Sequence, residues 1–359
     1  IAAAHTCEII TYTRETVEKK KSSFIHSIGG KIMIIFAAVV VLSIGIVTFL
    51  SVNRSSNALM EAQYGQLRGI RDIKKNQIES YFDERQGDIN VLSNTVKSMR
   101  QAAITKLESI TENKKNQVEL YFEENEISSD EIVPGGRVHR AMDRIAGERT
   151  GLGETGESYL IEKKASRYYF RNDLETMGGG SYVFGYDATS ITTDYVRSAV
   201  GGDSGNAVFT DSAGDLVMVA YEPLDIAGME WAIITKQDIE EAIVPTIEGE
   251  TENYYRQYIN EYGYYDMFLI HPRGDVFYTA LKEKDYGTNI LEGPYADSSL
   301  AQAVREAKET GTFGFGDFQP YEPSGGVPAS FIADPLVLDG RVELIIALVL
   351  LAALAVFPA

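Results

Sequence analysis

MFLIHPRGDVFYTA, Met267–Ala280, is the stretch that decides the fold. Two short apolar runs, Met267–Ile270 and Val276–Ala280, flank the turn Pro272-Arg273-Gly274-Asp275, which predicts an antiparallel hairpin. Upstream, Glu252–Tyr262 reads as a helix. Downstream, a helix over Ser299–Glu309 leads to strands Thr312–Phe315, Ala329–Ala333 and Val342–Leu350, with Asp339-Gly340 as the last turn.

The same order of elements occurs earlier in the chain. Tyr159–Ile161 and Tyr168–Phe170 read as strands and Tyr195–Val200 as a helix. Strands Ala207–Thr210, Leu216–Tyr221 and Trp231–Thr235 follow, with turns at Ser212-Ala213-Gly214-Asp215 and Ala227-Gly228. Two strands, a helix and three antiparallel strands make a five-stranded sheet with helices on one face. The expected class is therefore α+β, with two PAS-like sheet modules. Pro245–Glu252, PTIEGETE, is polar enough for a linker, though a long helix would also bridge it. Leu344–Phe357 is apolar throughout; its first half reads as the last core strand.

Ahead of the modules, Ile32–Val52 is a run of 21 residues without a charge. As a helix it is about 32 Å long, enough to cross a hydrocarbon core of roughly 30 Å. Lys19, Lys20, Lys21 and Lys31 precede it, and Arg54 is the one basic residue just after it. The positive-inside rule puts the short tail in the cytoplasm and the bulk outside. A cleaved signal peptide would have a shorter apolar core and a small-residue cleavage site. The chain begins with Ile and reads as a fragment at that end. Ser55 to about Asn125 reads as a helical stalk, and it contains a repeat. Lys74–Phe82, KKNQIESYF, recurs as Lys114–Phe122, KKNQVELYF, an offset of 40 residues that suits a duplicated packing segment. The expected organisation is a cytoplasmic tail (1–31), a transmembrane helix (32–52), a stalk (53–134), two modules (135–246 and 247–350) and a truncated apolar tail (351–359).

Composition excludes several functions. A net charge of −19 argues against nucleic acid or anionic lipid headgroups as partners. Cys7 is the single cysteine, so no internal disulfide forms, and no His/Cys cluster has metal-ligand spacing. Gly151–Glu157, GLGETGE, matches G-x-G-x-x-G, but a helix precedes it and a strand follows, the reverse of a nucleotide site. Gly202-Asp203-Ser204-Gly205 resembles a serine-protease nucleophile loop without supporting histidines. No catalytic residues, metal or cofactor are expected.

A polar-aromatic series in the second module suits a small polar or cationic ligand over the sheet. Its candidate contacts are Tyr278, Asp285, Asn289, Tyr295, Asp317, Tyr321, Phe331 and Asp334, with Asp317, Tyr321, Tyr278 and Asp334 foremost. In the first module the candidates are Arg171, which would clamp a carboxylate or pair with Asp173, and Asp173 itself.

Three phrases then carry a resemblance. Glu148–Ile161, ERTGLGETGESYLI, resembles the opening of Cache sensor domains in bacterial methyl-accepting chemotaxis receptors and related histidine kinases. Tyr258–Tyr295 together with Pro320–Val337, PYEPSGGVPASFIADPLV, resembles a Cache module of the same receptors, and Lys74–Leu92 resembles their juxtamembrane helix. The likeness covers roughly residues 30–350. It implies the extracytoplasmic sensory region of a receptor in the bacterial inner membrane. The implied ligand is an amino acid, amine or carboxylate, the implied state a homodimer, and the implied signal a helix shift. A histidine kinase or diguanylate cyclase would use the same region; an anchored extracellular hydrolase is the alternative of another class. In the pattern resembled, the module containing Tyr262-Gly263-Tyr264-Tyr265-Asp266 precedes the one opening with Arg149-Thr150-Gly151. Here the order is reversed, so a further module is expected past residue 359. The signature after the first strands is altered to Tyr168-Tyr169-Phe170-Arg171-Asn172-Asp173.

Overall fold

Strand pairing in the computed structural model yields two five-stranded antiparallel sheets of one topology. The structure describes residues 27–175, 181–211, 216–246, 249–338 and 340–351. The turn expected at Ser212–Asp215, most of the N-terminal tail, two linker residues, Asp339 and the last eight residues lie outside them. The chain divides into two compact units, Ile1–Phe82 and Asp83–Ala359.

Helix α1, Ile28–Asn125, is continuous. Among the described residues it is the helix long and apolar enough to cross a membrane; its most apolar window has a mean hydropathy of 2.9. Ile32, Phe36, Val41, Leu42, Val47 and Phe49 are all more than half exposed. In water that exposure is costly, and in lipid it is not.

Within the second unit, α2 (Arg137–Gly147) leads into the first module. Its strands are β1 (Glu157–Lys164), β2 (Arg167–Phe170), β5 (Gly205–Thr210), β6 (Leu216–Ile226) and β7 (Met229–Asp238), in the order β2-β1-β7-β6-β5. A small ribbon, β3 (Leu174–Glu175) with β4 (Ser181–Tyr182), and helix α3 (Asp194–Val200) lie between β2 and β5. Alternation along the strands sends Tyr159, Ile161, Val217, Val219, Ala232 and Ile234 to the α3 face. Leu160, Trp231 and Ile233 go to the other face, against Val118 and Phe122 of α1 and Val138, Met142 and Ile145 of α2.

One helical turn, α4 (Ile239–Ile243), leaves the first sheet, and α5 (Tyr254–Tyr262) opens the second module. Among the described residues no helix spans the linker between them; an isolated bridge pairs Thr246 with Asn253. The second sheet holds β8 (Met267–Ile270), β9 (Val276–Thr279), β10 (Gly314–Tyr321), β11 (Val327–Leu338) and β12 (Arg341–Leu351), in the order β10-β11-β12-β8-β9. Helix α6 (Ser299–Thr310) covers one face. Ranked by chain order, both sheets run 2-1-5-4-3, so the repeat of elements seen in the sequence is a repeat of topology. Leu344–Leu351 is a buried core strand, as its composition suggested.

Candidate functional site

The sequence-selected residues do not converge on one place. In the second module, Tyr321 and Phe331 pack together on the α6 face, ring centroids 4.9 Å apart, and Tyr295 lies 6.3 Å from Tyr321. The Tyr321 hydroxyl donates to Asp285 Oδ2 at 2.7 Å, so Asp285 completes a cluster of four candidates. Asn289 pins the neighbouring loop: its Nδ2 donates to Arg273 O and Asp275 Oδ1, each at 3.0 Å, and its Oδ1 accepts from the Leu291 and Glu292 amides.

Register removes the other three. Tyr278 pairs with Leu269, one residue out of phase with Phe268 and Ile270, which face α6. Tyr278 therefore lies on the opposite face, where it meets Tyr255 and donates to Asn253 Oδ1 at 3.0 Å. Asp334 is likewise out of phase with Phe331 and Ala333, and burial raises its pKa. Asp317 is exposed on a bulge of β10, accepting from the Phe318 amide at 2.7 Å. Of the four foremost candidates, only Tyr321 reaches the α6 face.

In the first module, Arg171 and Asp173 are both engaged by protein. The Arg171 guanidinium pairs with Glu162, the partner in place of Asp173, and lies over the rings of Tyr169, Phe184 and Trp231. Asp173 Oδ1 accepts from the Phe184 amide at 2.8 Å and sits 3.1 Å from His139 Nε2. Trp231 and His139 mark these contacts as belonging to the α2 face.

The His139 cluster has the composition of a metal site, with Asp143 Oδ2 also 3.1 Å from Nε2. Its hydrogen bonding is against one. His139 Nδ1 accepts the Gly135 amide at 2.8 Å, which leaves the ring proton on Nε2, facing the two carboxylates. A metal would need the Nε2 lone pair, usually with an acceptor opposite Nδ1. The cluster is a hydrogen-bonded clasp between α2 and the β2–β4 segment.

The glycine-rich loop holds an anion, but an internal one. Glu241 of α4 accepts from the Glu154 amide at 2.6 Å, the Thr155 amide at 2.8 Å and the Thr155 hydroxyl. Gly153 has φ of 70°, and a Cβ there would fall 2.0 Å from Glu241 Oε1. Burial alone would raise the Glu241 pKa; the hydrogen bonds from Thr155 and the two amides outweigh it and hold the carboxyl below its usual value. A depressed folded pKa gives stability that is present above the unfolded value of about 4.3 and lost as pH falls through the folded value. Glu241→Gln lacks that contribution at every pH. Thermal unfolding should show a gap between wild type and variant at pH 6 that narrows at pH 3.5; a gap of constant size would refute the assignment.

The residues that sequence reasoning missed line a cavity of about 60 Å³ in the first module, between sheet and α3. Tyr159, Phe170, Tyr182 and Tyr195 form its aromatic wall, and the Tyr159 and Tyr195 hydroxyls are 3.4 Å apart. Asp211, Lys236 and Thr193 supply the polar side. Lys236 Nζ lies 2.9 Å from Glu157 Oε1 and 3.2 Å from Asp211 Oδ2, and these carboxylates, outweighing burial, raise its pKa. Burial raises the pKa of Glu157 despite that pairing. Thr193 Oγ1 is buried with no hydrogen-bond partner. Lys236 comes one residue, Thr235, after the apolar run Trp231–Ile234 of β7; a lone cation so close to such a run was the available signal.

A separate cleft of about 420 Å³ lies between the modules, lined by Thr210, Glu240, Arg273 and Tyr286 among others. Contacts cross it: Arg273 donates to Thr210, and Glu240 accepts from Lys282 Nζ and Tyr286 OH, each at 2.8 Å.

No protein-family model matches the chain, and no curated relative matches it either. Among solved structures, the ligand-binding domain of the Campylobacter jejuni chemoreceptor Tlp3, in complex with 4-methylisoleucine, is similar at a TM-score of 0.46 and 12% identity, covering 78% of this chain and 96% of that one. The ligand-binding domain of the Pseudomonas aeruginosa PAO1 amino acid chemoreceptor PctC, in complex with GABA, has a TM-score of 0.40 and 14% identity, covering 74% and 99%. Two five-stranded antiparallel sheets with flanking helices, and a long apolar helix, make the α+β architecture of two sheet modules that the sequence pattern predicted.

Proposed function

We propose that the chain is the extracytoplasmic sensory region of a bacterial transmembrane receptor, anchored by Ile32–Val52, and that the first module binds a small solute. The observation that carries this reading is the cavity over the first sheet, where a lysine and two carboxylates meet a wall of tyrosines. A ligand carboxylate would take Lys236 and the unpartnered Thr193 hydroxyl. A ligand ammonium would take Asp211, and an apolar stem would pack on Tyr159, Phe170 and Tyr195. That chemistry fits the amino acid, amine or carboxylate class. The free space in the cavity is small, about 60 Å³. Binding must therefore part α3 from the sheet, and a ligand that favours the parted form shifts the population toward it.

A chemotaxis receptor is the preferred setting, with a histidine kinase or diguanylate cyclase using the same sensory logic. The exposed stripe Leu59, Leu67, Ile70, Ile73 and Ile78 of α1 suits a homodimer interface. The test is a thermal-shift screen of the full chain in detergent micelles against amino acids, amines and carboxylates. A solute at a hundred times its Kd stabilises by about 2.7 kcal/mol. Lys236→Met and Asp211→Asn should each abolish the shift, and Asp317→Ala, on its exposed bulge, should keep it. A hit whose full shift survives both cavity variants would sink the site.

A further inference from the structure

The second module buries two acids in its interior. Asp266 is 1% exposed and Asp285 is 0% exposed. Asp266 stands at the open end of the β8–β9 hairpin, where Oδ1 accepts the amides of Met267 at 2.7 Å, Ala280 at 2.8 Å and Leu281 at 3.2 Å. Its Oδ2 is buried without a partner. Asp285 lies in the loop that leaves this hairpin; Oδ2 accepts the Tyr321 hydroxyl, and Oδ1 is buried without a partner.

The groups facing the pair are acids and phenols. Asp285 repels Asp266, and Glu283 repels Asp285. Tyr265, Tyr278 and Tyr321 each feel the Asp266 charge. Nearby cations are spent elsewhere: Lys282 on Glu240, Lys284 on Glu322, and Arg256 on Ala280 O and Glu252. Both carboxylates are buried, each with one oxygen left without a partner, and protonating one of them removes an uncompensated buried charge.

We propose that Asp266 and Asp285 form a proton-binding site, that the pair holds one proton on the unpartnered Asp266 oxygen, and that releasing it to solvent loosens the loop from Leu281 to Ser298. The loop is the element that can respond. Asp266 Oδ1 holds its root through the Leu281 amide, and Asp285 ties it to the end of β10 through Tyr321. Tyr265 and Ser324 hold it again through Glu283, at 2.7 and 3.1 Å. Repulsion within an ionised pair is relieved by moving Asp285 toward water, which the loop alone carries. The second module would then report pH, whether or not the first module's cavity takes a solute.

Burial, joined by the Asp285 charge, pushes Asp266 up to about 7. A carboxyl raised in the folded state gives stability that is complete below the unfolded value of about 3.9 and lost as pH rises through about 7. The opening therefore falls between roughly pH 5 and pH 8.

Hydrogen exchange on the full chain in nanodiscs, read by mass spectrometry and corrected for intrinsic base catalysis, tests this. Protection of residues 280–290 should fall about tenfold or more from pH 5.5 to pH 8. Asp266→Asn keeps the Oδ1 acceptor and puts an N–H where the protonated acid has its O–H, so its protection should be high and flat across that range. Asp285→Asn removes the repelling charge and should move the wild-type midpoint to lower pH. A wild type with no fall, or an Asp266→Asn protein that keeps the wild-type fall, overturns the proposal. If Asp266→Asn does not fold, an Asp285→Asn midpoint equal to the wild type's overturns it alone.

Discussion

Gly314→Ala should severely destabilise the second module. Strand β10 passes so close to α6 that a Cβ at Gly314 would sit 2.1 Å from Ala303 O and 2.9 Å from Ala307 N. These are backbone atoms of a helix whose buried face, Leu300, Ala303, Val304 and Ala307, is part of the module's core. The contact cannot be relieved by a side-chain rotation; either α6 or β10 must move away from the sheet. We expect a loss of about 4 kcal/mol or more, in the range reserved for severe core disruption. That is a large share of the 5–15 kcal/mol by which a domain is usually stable. Gly316→Ala, whose Cβ would meet Ser299 O at 2.0 Å, should behave alike. Urea unfolding of the full chain in detergent, followed by hydrogen exchange of β8 and β11, measures it. A midpoint within experimental error of wild type in both variants would show that β10 and α6 are not in this contact.

The second large effect is expected at Lys114→Met. Lys114 is buried in α1, and its Nζ donates to Ala146 O at 2.9 Å, Glu148 O at 2.5 Å and Ser158 Oγ at 2.9 Å. Two of these acceptors lie at the C-terminal end of α2, whose last carbonyls have no helical partner. The third is on β1. One ammonium thus ties the stalk helix to α2 and to the first sheet. Methionine has a similar shape and no donor, so it leaves the buried Ala146 carbonyl without a partner and Ser158 Oγ with Thr235 alone, while Glu148 O, at an exposed residue, turns to water. A cost of about 2–4 kcal/mol follows. Burial lowers the Lys114 pKa to about 8, with the Glu148 charge acting the other way. Because the folded pKa lies below the unfolded value of about 10.4, keeping the lysine charged carries a penalty at neutral pH that disappears as pH rises from 8 to 10.4. Wild type should gain stability over that interval relative to Lys114→Met. Parallel stability curves from pH 7 to pH 10 would mean that the amine is not buried.

Much of the fold is legible from local pattern. Met267–Ile270 is strand β8 with the limits its apolar run suggests, and Tyr195–Val200 is α3 less one residue. The strands after each helix run longer than expected: β7 continues to Asp238 because its ladder with β6 goes on past the apolar run, and β11 continues through Pro335–Leu338, paired with β12, beyond the break that Asp334 makes in its apolar pattern. The β3–β4 ribbon, two residues a strand, is too short to carry any period.

The site was less legible, for a geometrical reason. A strand sends neighbouring residues to opposite faces, so one position separates Asp334 from Ala333, and a bulge in the β8–β9 pairing puts Tyr278 out of phase with Val276 two residues before it. Composition marks both as polar residues beside a core, and nothing local states which face holds the α helix. Lys236, Asp211 and Glu157 meet through pairing of β1 with β7 and the approach of the residue after β5, across up to 79 positions of sequence.

By itself the sequence determined the apolar span at Ile32–Val52, the two-strand, helix, three-strand order occurring twice, and the failure of the glycine-rich loop as a nucleotide site. Each of these follows from spacing along the chain. Tertiary structure alone decided what a given side chain faces. Val118 and Phe122 are buried against Leu160 and Trp231, while their counterparts Ile78 and Phe82 in the same nine-residue repeat stay exposed. The helix is the same in both copies. In the second copy a sheet lies beside it, brought there by contacts that reach as far along the chain as Trp231.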